Sequence, residues 1–215
     1  MSDITIKGSL KILNPEKIKK NILQAMQKHL KQRLRGIHRN LESSASIILL
    51  DAILASSTAQ SIFNGELKEE LGIADTSKAY TLFQIIANDS RLSINGPKIS
   101  GGMISLKMTY EAVPKDIASK FGDIGSFTTK KGKKIPWLEW LTELGDAVIV
   151  REYEVKAGFP QSSRTGDKIM IKGKGWRVPP QHSGSQGNNF ITKACDQALN
   201  EISNHWVKEI ERAIV

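Results

Sequence analysis

Apolar positions recur at helical spacing over the first quarter of the chain. Asn14, Pro15 and Glu16 supply a capping side chain, a first-turn proline and a first-turn acid, which together predict a helix N-terminus. A second apolar helix is predicted over residues 45–56, either separate from the first or continuous with it, because only two weakly breaking serines intervene. The first helix is predicted to be long and amphipathic, with one apolar stripe at intervals of three and four residues: Ile18, Ile22, Met26, Leu30, Leu34, Ile37 and Leu41.

Two shorter helices are predicted next. Apolar residues repeat every four positions at Phe63, Leu67 and Leu71, and Gly72 is well placed as a C-terminal cap. A further helix starts at a cap provided by Asp75 or Thr76 and continues to about residue 86.

Strand patterns occupy the middle of the chain. Apolar and polar residues alternate over 104–110, which predicts a half-buried strand. Its predicted partner is 92–94, with a turn at Asn95-Gly96-Pro97 and a hinge at Gly101-Gly102. A third strand is predicted over 147–155, with a register irregularity near Arg151, and a fourth over 169–171 before a Gly173-Lys174-Gly175 turn.

The remaining segments complete the predicted organisation. Pro136 opens a short helix over 137–144, and Asn188 or Asn189 caps a C-terminal helix that reaches residue 214. The sequence therefore predicts a single α+β domain over 1–215, with long N-terminal helices and a C-terminal helix packed on a mostly antiparallel sheet. We expect an N-terminal arm (1–13) and a long mobile loop (113–134), which is polar and rich in glycine and lysine.

Composition narrows the class of protein. The 215 residues include 40% hydrophobic residues, which places the chain outside the disordered class. The formal charge is +9, which allows an anionic partner and also fits a lysine-rich solvated surface. One cysteine, Cys195, excludes an internal disulfide framework and fits a reducing compartment. No apolar run reaches the ~18 residues of a membrane span, so we expect no membrane partner and synthesis in the cytosol.

Residues with catalytic potential do not form a recognisable constellation. None of the four histidines has a cysteine or acidic partner at metal-ligand spacing. The Gly173-Lys174-Gly175 turn lacks the Walker pattern, and no serine lies in a nucleophile-elbow sequence. We therefore predict no catalytic, cofactor-binding or metal-binding residues, no cofactor and no enzymatic activity.

The first helix carries a candidate basic face. Aromatic residues for base stacking and reader motifs for nucleic acid are missing from it, so sequence-specific reading is not expected. Nonspecific contact with double-stranded DNA and contact with an acidic protein neighbour both remain open. The face consists of Lys19, Lys20, Lys28, Lys31, Arg35 and Arg39.

Three segments together resemble the neck, or tail-completion, proteins of tailed bacteriophages. The first is SIFNGELKEELGIA at 61–74, and the second is IPWLEWLTELG at 135–145, which a predicted strand follows. The third, at 163–194, contains Ser-Arg-Thr-Gly, Ile-Met, Trp-Arg-Val-Pro-Pro and Asn-Asn-Phe-Ile-Thr-Lys-Ala in that order. The resemblance spans roughly residues 60–200 and carries over by segment, with no feature for the N-terminal arm or the lysine-rich loop.

The resemblance implies a structural subunit of the virion neck, made in the bacterial host cytoplasm. Such a subunit would bind copies of itself in a closed ring, a portal or head-completion protein on one side, and a tail terminator or tail tube on the other. Double-stranded DNA would pass through the ring without sequence-specific contact. A tail-terminator ring protein and a nonspecific nucleic-acid-binding module are the alternative functions.

Two groups of residues are candidate subunit or partner interfaces. Trp and Arg dominate interface energies, and prolines reduce the entropy lost on docking, so the Trp-Arg-Val-Pro-Pro turn is a natural anchor. Trp176 is alternatively a core residue. The candidates are Trp176, Arg177, Pro179 and Pro180, together with Lys130, Lys131, Lys133 and Lys134 of the lysine-rich loop.

Overall fold

The computed structural model describes residues 14–112, 116–129 and 132–214, which form helices and three small β-ladders. The predicted α+β class is confirmed, and the strands pair as three separate antiparallel ladders, β1–β2, β3–β4 and β5–β6. The predicted arm, residues 1–13, lies outside the described residues. The helices are α1 (Pro15–Ala55), α2 (Ser57–Asn64), α3 (Glu66–Leu71), α4 (Ser77–Asn88), α5 (Ile117–Phe121), α6 (Trp137–Thr142) and α7 (Phe190–Ile214). The strands are β1 (Arg91–Ser100), β2 (Met103–Glu111), β3 (Phe127–Thr128), β4 (Lys134–Ile135), β5 (Tyr153–Lys156) and β6 (Ile169–Lys172).

The two predicted N-terminal helices are one continuous helix, α1. Asn14 caps it as predicted, because its Oδ1 accepts hydrogen bonds from the backbone N–H groups of Glu16 (3.1 Å) and Lys17 (3.3 Å). Ser44 does not break the helix, since its hydroxyl donates back to the Leu41 carbonyl at 2.9 Å. The helix ends at Ser56, whose hydroxyl caps α2 by accepting from Ala59 N–H.

The apolar stripe of α1 is only partly covered, which corrects the prediction of one core-facing stripe. Leu34 and Leu41 are 5% and 1% exposed, whereas Ile18, Ile22 and Met26 are 46–54% exposed. The cause is the spacing of four residues, which advances by about 40° around a helix of 3.6 residues per turn. Four such steps rotate the stripe by about 160° between Ile18 and Leu34, so its first members turn away from the core.

The core lies between the C-terminal half of α1 and helices α2, α4, α6 and α7. Phe83 of α4 is fully buried at its centre and makes edge-to-face contacts with Phe63, Trp137 and Phe190, at centroid distances of 5.9, 6.5 and 5.8 Å. Helix α7 packs along α1, and Trp206 Nε1 donates to the Leu41 carbonyl at 2.9 Å. This contact satisfies the indole N–H inside the core.

The β1–β2 hairpin differs from its predicted turn. β1 continues through Gly96 and Pro97 with a register shift between Asn95 and Lys98, and the chain reverses at Gly101-Gly102. Both glycines of the reversal have positive φ, 55° and 73°, which is the requirement of a type I′ hairpin turn. The bulge lets the strand accommodate Pro97, which has no N–H for the ladder.

Within the predicted loop at 113–134, the described residues include α5, β3 and the start of β4. Ile117 and Phe121 of α5 are buried. Gly125 lies so close to α6 that an added Cβ would be 2.4 Å from the Cβ of Leu138. Gly125 therefore allows the chain to pack closely against α6.

The predicted strand at 147–155 begins later, at Tyr153. Val150 forms a single bridge with Trp176, and the ladder is then interrupted at Glu152, whose φ is 59°. The irregularity predicted near Arg151 is therefore present and is large enough to end the strand. The predicted helix through Phe63, Leu67 and Leu71 is divided at Gly65 into α2 and α3, although its predicted cap Gly72 (φ 70°) is present. The other predicted elements agree with α4, α6 and β6, and with α7, which Asn189 caps.

Two isoleucines of α1 test whether the apolar stripe leaves the core toward the N-terminal end of the helix. Ile53→Ala should lower the free energy of unfolding by about 2–5 kcal/mol, because Ile53 is fully buried. Ile22→Ala should change it by less than about 0.5 kcal/mol, because Ile22 is 54% exposed. Urea unfolding of the two variants makes the comparison, and equal losses would show that the N-terminal half of α1 is covered.

Candidate functional site

A polar cluster joins α3 to the segment 163–176. Lys168 Nζ lies 3.3 Å from Glu66 Oε1 and 3.4 Å from Glu70 Oε1, while Trp176 Nε1 donates to Glu70 Oε2 at 3.0 Å. The Thr165 hydroxyl donates to Glu69. We call this set of residues the α3 cluster: Glu66, Glu69, Glu70, Thr165, Lys168 and Trp176.

The α3 cluster shows that these glutamates do more than form the solvated side of a short helix. Helix periodicity places Glu66 and Glu70 on one face, but no spacing rule connects them with Lys168 about one hundred residues later. The contact is long-range, and tertiary structure alone reveals it.

Burial sets the electrostatics of the α3 cluster. Desolvation raises the pKa of Glu70, and the hydrogen bond from Trp176 opposes that rise. Hydrogen bonding with Glu70, and then with Lys168, lowers the pKa of Glu66. For Lys168, burial lowers the pKa, but the two carboxylates outweigh it and the net shift is upward. Both oxygens of Glu70 are engaged, so the cluster holds two chain segments together.

A second group of polar contacts surrounds His182, which lies in the loop before α7. His182 is buried, and its Nδ1 lies 3.2 Å from Thr58 Oγ1 of α2. Burial lowers the pKa of His182, with Glu66 acting in the opposite direction. Nearby, the Asn189 side chain caps α7 and donates to the carbonyls of Thr142 and Ser185, at 3.4 and 3.3 Å. The loop before α7 is thereby fixed to α2 and α6.

The predicted interface residues of the Trp-Arg-Val-Pro-Pro turn differ in their exposure to solvent. Trp176 is 6% exposed and packs on Trp140 at a centroid distance of 5.7 Å, so in this chain it is a core residue, which is the alternative that the sequence left open. Arg177 and Pro180 are exposed and Pro179 is half-buried. Of these four residues, only Arg177, Pro180 and part of Pro179 are therefore accessible to a partner.

The lysine-rich segment is partly described. Lys130 and Lys131 lie outside the described residues. Lys133 and Lys134 are exposed, and Lys134 Nζ pairs with Asp123 Oδ1 at 3.0 Å. An exposed pair of this kind contributes about 0–1 kcal/mol, so Lys134 remains accessible to a stronger partner.

The basic face of α1 contains a continuous row and one outlier. At about 100° per residue, five of the six predicted cations fall within an arc of about 100°. All five are exposed, and no ion pair within the described ranges involves them. Lys19 lies on another side, toward the β1–β2 hairpin, where its Nζ would be 3.0 Å from a Cβ on Gly102. The cationic row is Lys20, Lys28, Lys31, Arg35 and Arg39.

The tertiary structure concentrates the net charge at one end. The β1–β2 hairpin runs beside the N-terminal half of α1, and Gln27 Nε2 donates to the Pro97 carbonyl at 2.8 Å. Residues 14–39 and 91–111 together contain eleven Lys and Arg but two acids, whereas the remaining residues contain twenty of each sign. We call residues 14–39 and 91–111 the cationic end; the whole formal charge of +9 resides there.

Other reactive features are few in the described ranges. No group of three or more His, Cys, Asp or Glu residues is arranged there to hold a metal ion. Burial raises the pKa of Cys195 to about 12, which makes its thiol a poor nucleophile. No single helix among the described residues is long and apolar enough to cross a membrane. α1 and α2, bent by 67°, pass that test only as a pair and by length and composition, as core helices also do.

Comparison of the chain with protein families, with curated proteins and with solved structures finds no match.

Trp176→Phe tests the α3 cluster. The substitution removes the indole N–H that Glu70 Oε2 accepts and leaves a half-buried carboxyl with one partner fewer. We expect a loss of about 1–3 kcal/mol in the free energy of unfolding, measured by urea denaturation. Arg177→Ala, at an exposed neighbouring position, is the control and should change stability by less than about 0.5 kcal/mol. Equal effects from the two variants would show that the hydrogen bond from Trp176 to Glu70 does not stabilise the fold.

His182 predicts a pH dependence of stability. Its folded-state pKa lies below the ordinary value of 6.5, so the unfolded chain binds the proton more readily. Stability conferred by neutral His182 is therefore complete above about pH 6.5 and falls as the pH is lowered below that value. The thermal unfolding midpoint should decrease between pH 7 and 5.5, and His182→Gln should flatten this part of the curve. An unchanged slope in the variant would show that His182 does not govern it.

Proposed function

We propose that the protein is a virion structural protein of the phage neck, forming a ring that joins the portal or head-completion ring to the tail. The observation that carries the proposal is the meeting of the three segments with neck-protein resemblance. α3 of the first segment bonds to the third segment through Glu70 and Trp176, at 3.0 Å. Trp140 of the second packs on Trp176, and Leu144 pairs with Ser185 of the third.

The use of polar side chains also supports a structural role. In the α3 cluster and around His182, the buried or half-buried polar groups bond to partners far away in the chain. Such joints rigidify a fold and fix the relative positions of its segments. A subunit that must repeat accurately around a ring has to present its surfaces in fixed positions.

The surfaces left uncovered are suited to protein neighbours. The N-terminal half of α1 exposes three large apolar residues, Ile18, Ile22 and Met26, and Met103 at the hairpin turn is 71% exposed. Exposed apolar residues grouped at one end are typical of protein contact surfaces. The cationic row provides charge that steers an acidic partner and fixes its register.

Passage of DNA through a ring constrains where the cationic row faces. Simultaneous neutralisation of many phosphates would hold the genome in the conduit and impede ejection. We therefore place the cationic row against protein neighbours or on the outer surface of the ring. A tail-terminator ring protein has the same requirements, and only its position in the particle distinguishes the two functions.

A nonspecific nucleic-acid-binding module is the second candidate function. The observation that favours it is the cationic row, whose five exposed cations extend over about 28 Å of helix. A DNA duplex presents a dense array of phosphates along a length of this size. Filter binding with double-stranded DNA at several salt concentrations tests it. Five phosphate contacts would give a slope of about −4.5 in a plot of log K against log[salt].

Electron microscopy of whole particles tests the leading proposal directly. The chain should be found in a ring between the portal-bearing head and the tail. Its absence from the particle, or its location elsewhere in the particle, would reject the neck function; a position on the tail tube would favour the terminator.

Charge reversal in the cationic row tests its role in assembly. Lys20→Glu, Lys31→Glu and Arg35→Glu together should leave the isolated subunit folded, since all three side chains are exposed. They should reduce the infectious titre by more than about a hundredfold, because like charges facing each other cost several kcal/mol. The matched control reverses three exposed lysines elsewhere, at Lys78, Lys193 and Lys208, and should retain its titre. Normal titre from the row variant would contradict the role.

A further inference from the structure

The cationic end carries an apolar surface that nothing in the described chain covers. Ile18, Ile22 and Met26 lie on one side of α1, about 110–190° around the helix from the middle of the cationic row. Met103 extends from the hairpin turn, and the contact of Gly102 with Lys19 places that turn beside the first turns of α1. We call this set of residues surface A: Ile18, Ile22, Met26 and Met103.

A second uncovered apolar surface follows α6. Leu144 and Val148 are 37% and 55% exposed, and Asp146 lies between them, also exposed. The stretch 135–150 contains three acids and no cation, so the chain itself is locally acidic here; Lys174 borders it on one side, because Gly175 packs against Val148. We call this set of residues surface B: Glu143, Leu144, Asp146 and Val148.

The two surfaces lie at opposite ends of the molecule. Surface B adjoins the start of α7, where Asn189 bonds to the Thr142 carbonyl. The other end of α7, near Arg212, lies beside Arg33 of α1. α7 spans about 37 Å, and Ile22 lies about 16 Å farther along α1 than Arg33. Surfaces A and B are therefore about 50 Å apart, and one copy cannot bring them together.

We propose that surface A of one subunit docks on surface B of a second copy of this chain. Each surface has a centre of exposed apolar side chains, and their surroundings have opposite charge, since A belongs to the cationic end and B to the acidic stretch. Because A and B are different surfaces at opposite ends, the contact is head-to-tail and leaves one free surface of each kind. Contacts of this type propagate and close into a ring when the rotation between subunits permits.

The inference rests on the proposed ring-forming function and names the contact by which the subunits meet. An isologous dimer would pair surface A with surface A, which would bring two cationic ends together at an electrostatic cost. DNA does not account for surface A, because isoleucine and methionine side chains at the surface gain nothing from phosphate. The opposite charge at surface B therefore favours a second copy as the occupant.

Self-association of the full-length protein provides the first test. Sedimentation velocity at low salt should show concentration-dependent association that weakens as salt is raised. Ile22→Asp with Met26→Asp should weaken association at least about tenfold by damaging surface A, and Leu144→Ser with Val148→Ser should do the same through surface B, without introducing a charge that could pair with the new aspartates. Ile47→Asp is the matched control: Ile47 lies on α1 outside both surfaces, is 61% exposed, and should leave association unchanged. Circular dichroism checks that every variant is folded.

Mixing the two defective variants distinguishes a head-to-tail contact from every other arrangement. At concentrations where the wild type begins to associate, each variant alone should be monomeric, because each keeps only one working surface. Their equimolar mixture should form a dimer and stop there, because one intact A meets one intact B and the other two surfaces are damaged. Cross-linking of Met26→Cys in one copy to Val148→Cys in another identifies the contact, since the native Cys195 is buried.

The outcomes separate this inference from the proposed function. A monomeric wild type at all concentrations, or rings that both variants still form, would overturn the A–B contact. Failure of the mixture to form a dimer would do the same, and association of the surface B variant through surface A alone would indicate the isologous arrangement. Finding the chain outside the virion neck would reject the function while leaving the measured A–B contact intact.

Discussion

The length of α1 relative to the core is the constraint on which the rest of the structure depends. Forty-one residues extend over about 61 Å, but α7, the longest helix packed against α1, covers only its C-terminal part. The remaining helix is accompanied by the β1–β2 hairpin and leaves apolar residues uncovered. One half of α1 thus builds the core, and the other half presents the cationic end of the molecule.

The core is stabilised by aromatic packing and closed by polar joints. Phe83 gathers aromatic rings from α2, α6 and α7, and the α3 cluster and His182 attach the segment 163–189 around them. Burying the carboxyl of Glu70 costs desolvation, which raises its pKa, and the bonds from Lys168 and Trp176 offset that cost. The ionisable side chains of the α3 cluster and His182 therefore hold chain segments in position relative to one another.

Much of the secondary structure followed from periodicity, and the differences have local causes. Asn14, Gly72 and Asn189 cap helices as their residue types predict, because capping depends on short-range hydrogen bonds. The sequence offers two sites for the hairpin turn, Asn95-Gly96-Pro97 and Gly101-Gly102. The turn forms at Gly101-Gly102, because two consecutive glycines can both adopt positive φ angles. At 117–128 the glycine-rich composition hid a short helix whose few apolar residues pack on α6.

The arrangement of the candidate site followed less from local sequence patterns than the secondary structure did. The sequence by itself determined the α+β class, the cationic row, the capped helices and the net charge, since each follows from local spacing or composition. Only the tertiary structure decided that Trp176 is buried, that Glu70 meets Lys168, and that the hairpin joins α1 to concentrate the whole net charge at one end. The physical reason is that contacts between residues far apart in the chain depend on how helices pack, which no short-range periodicity encodes.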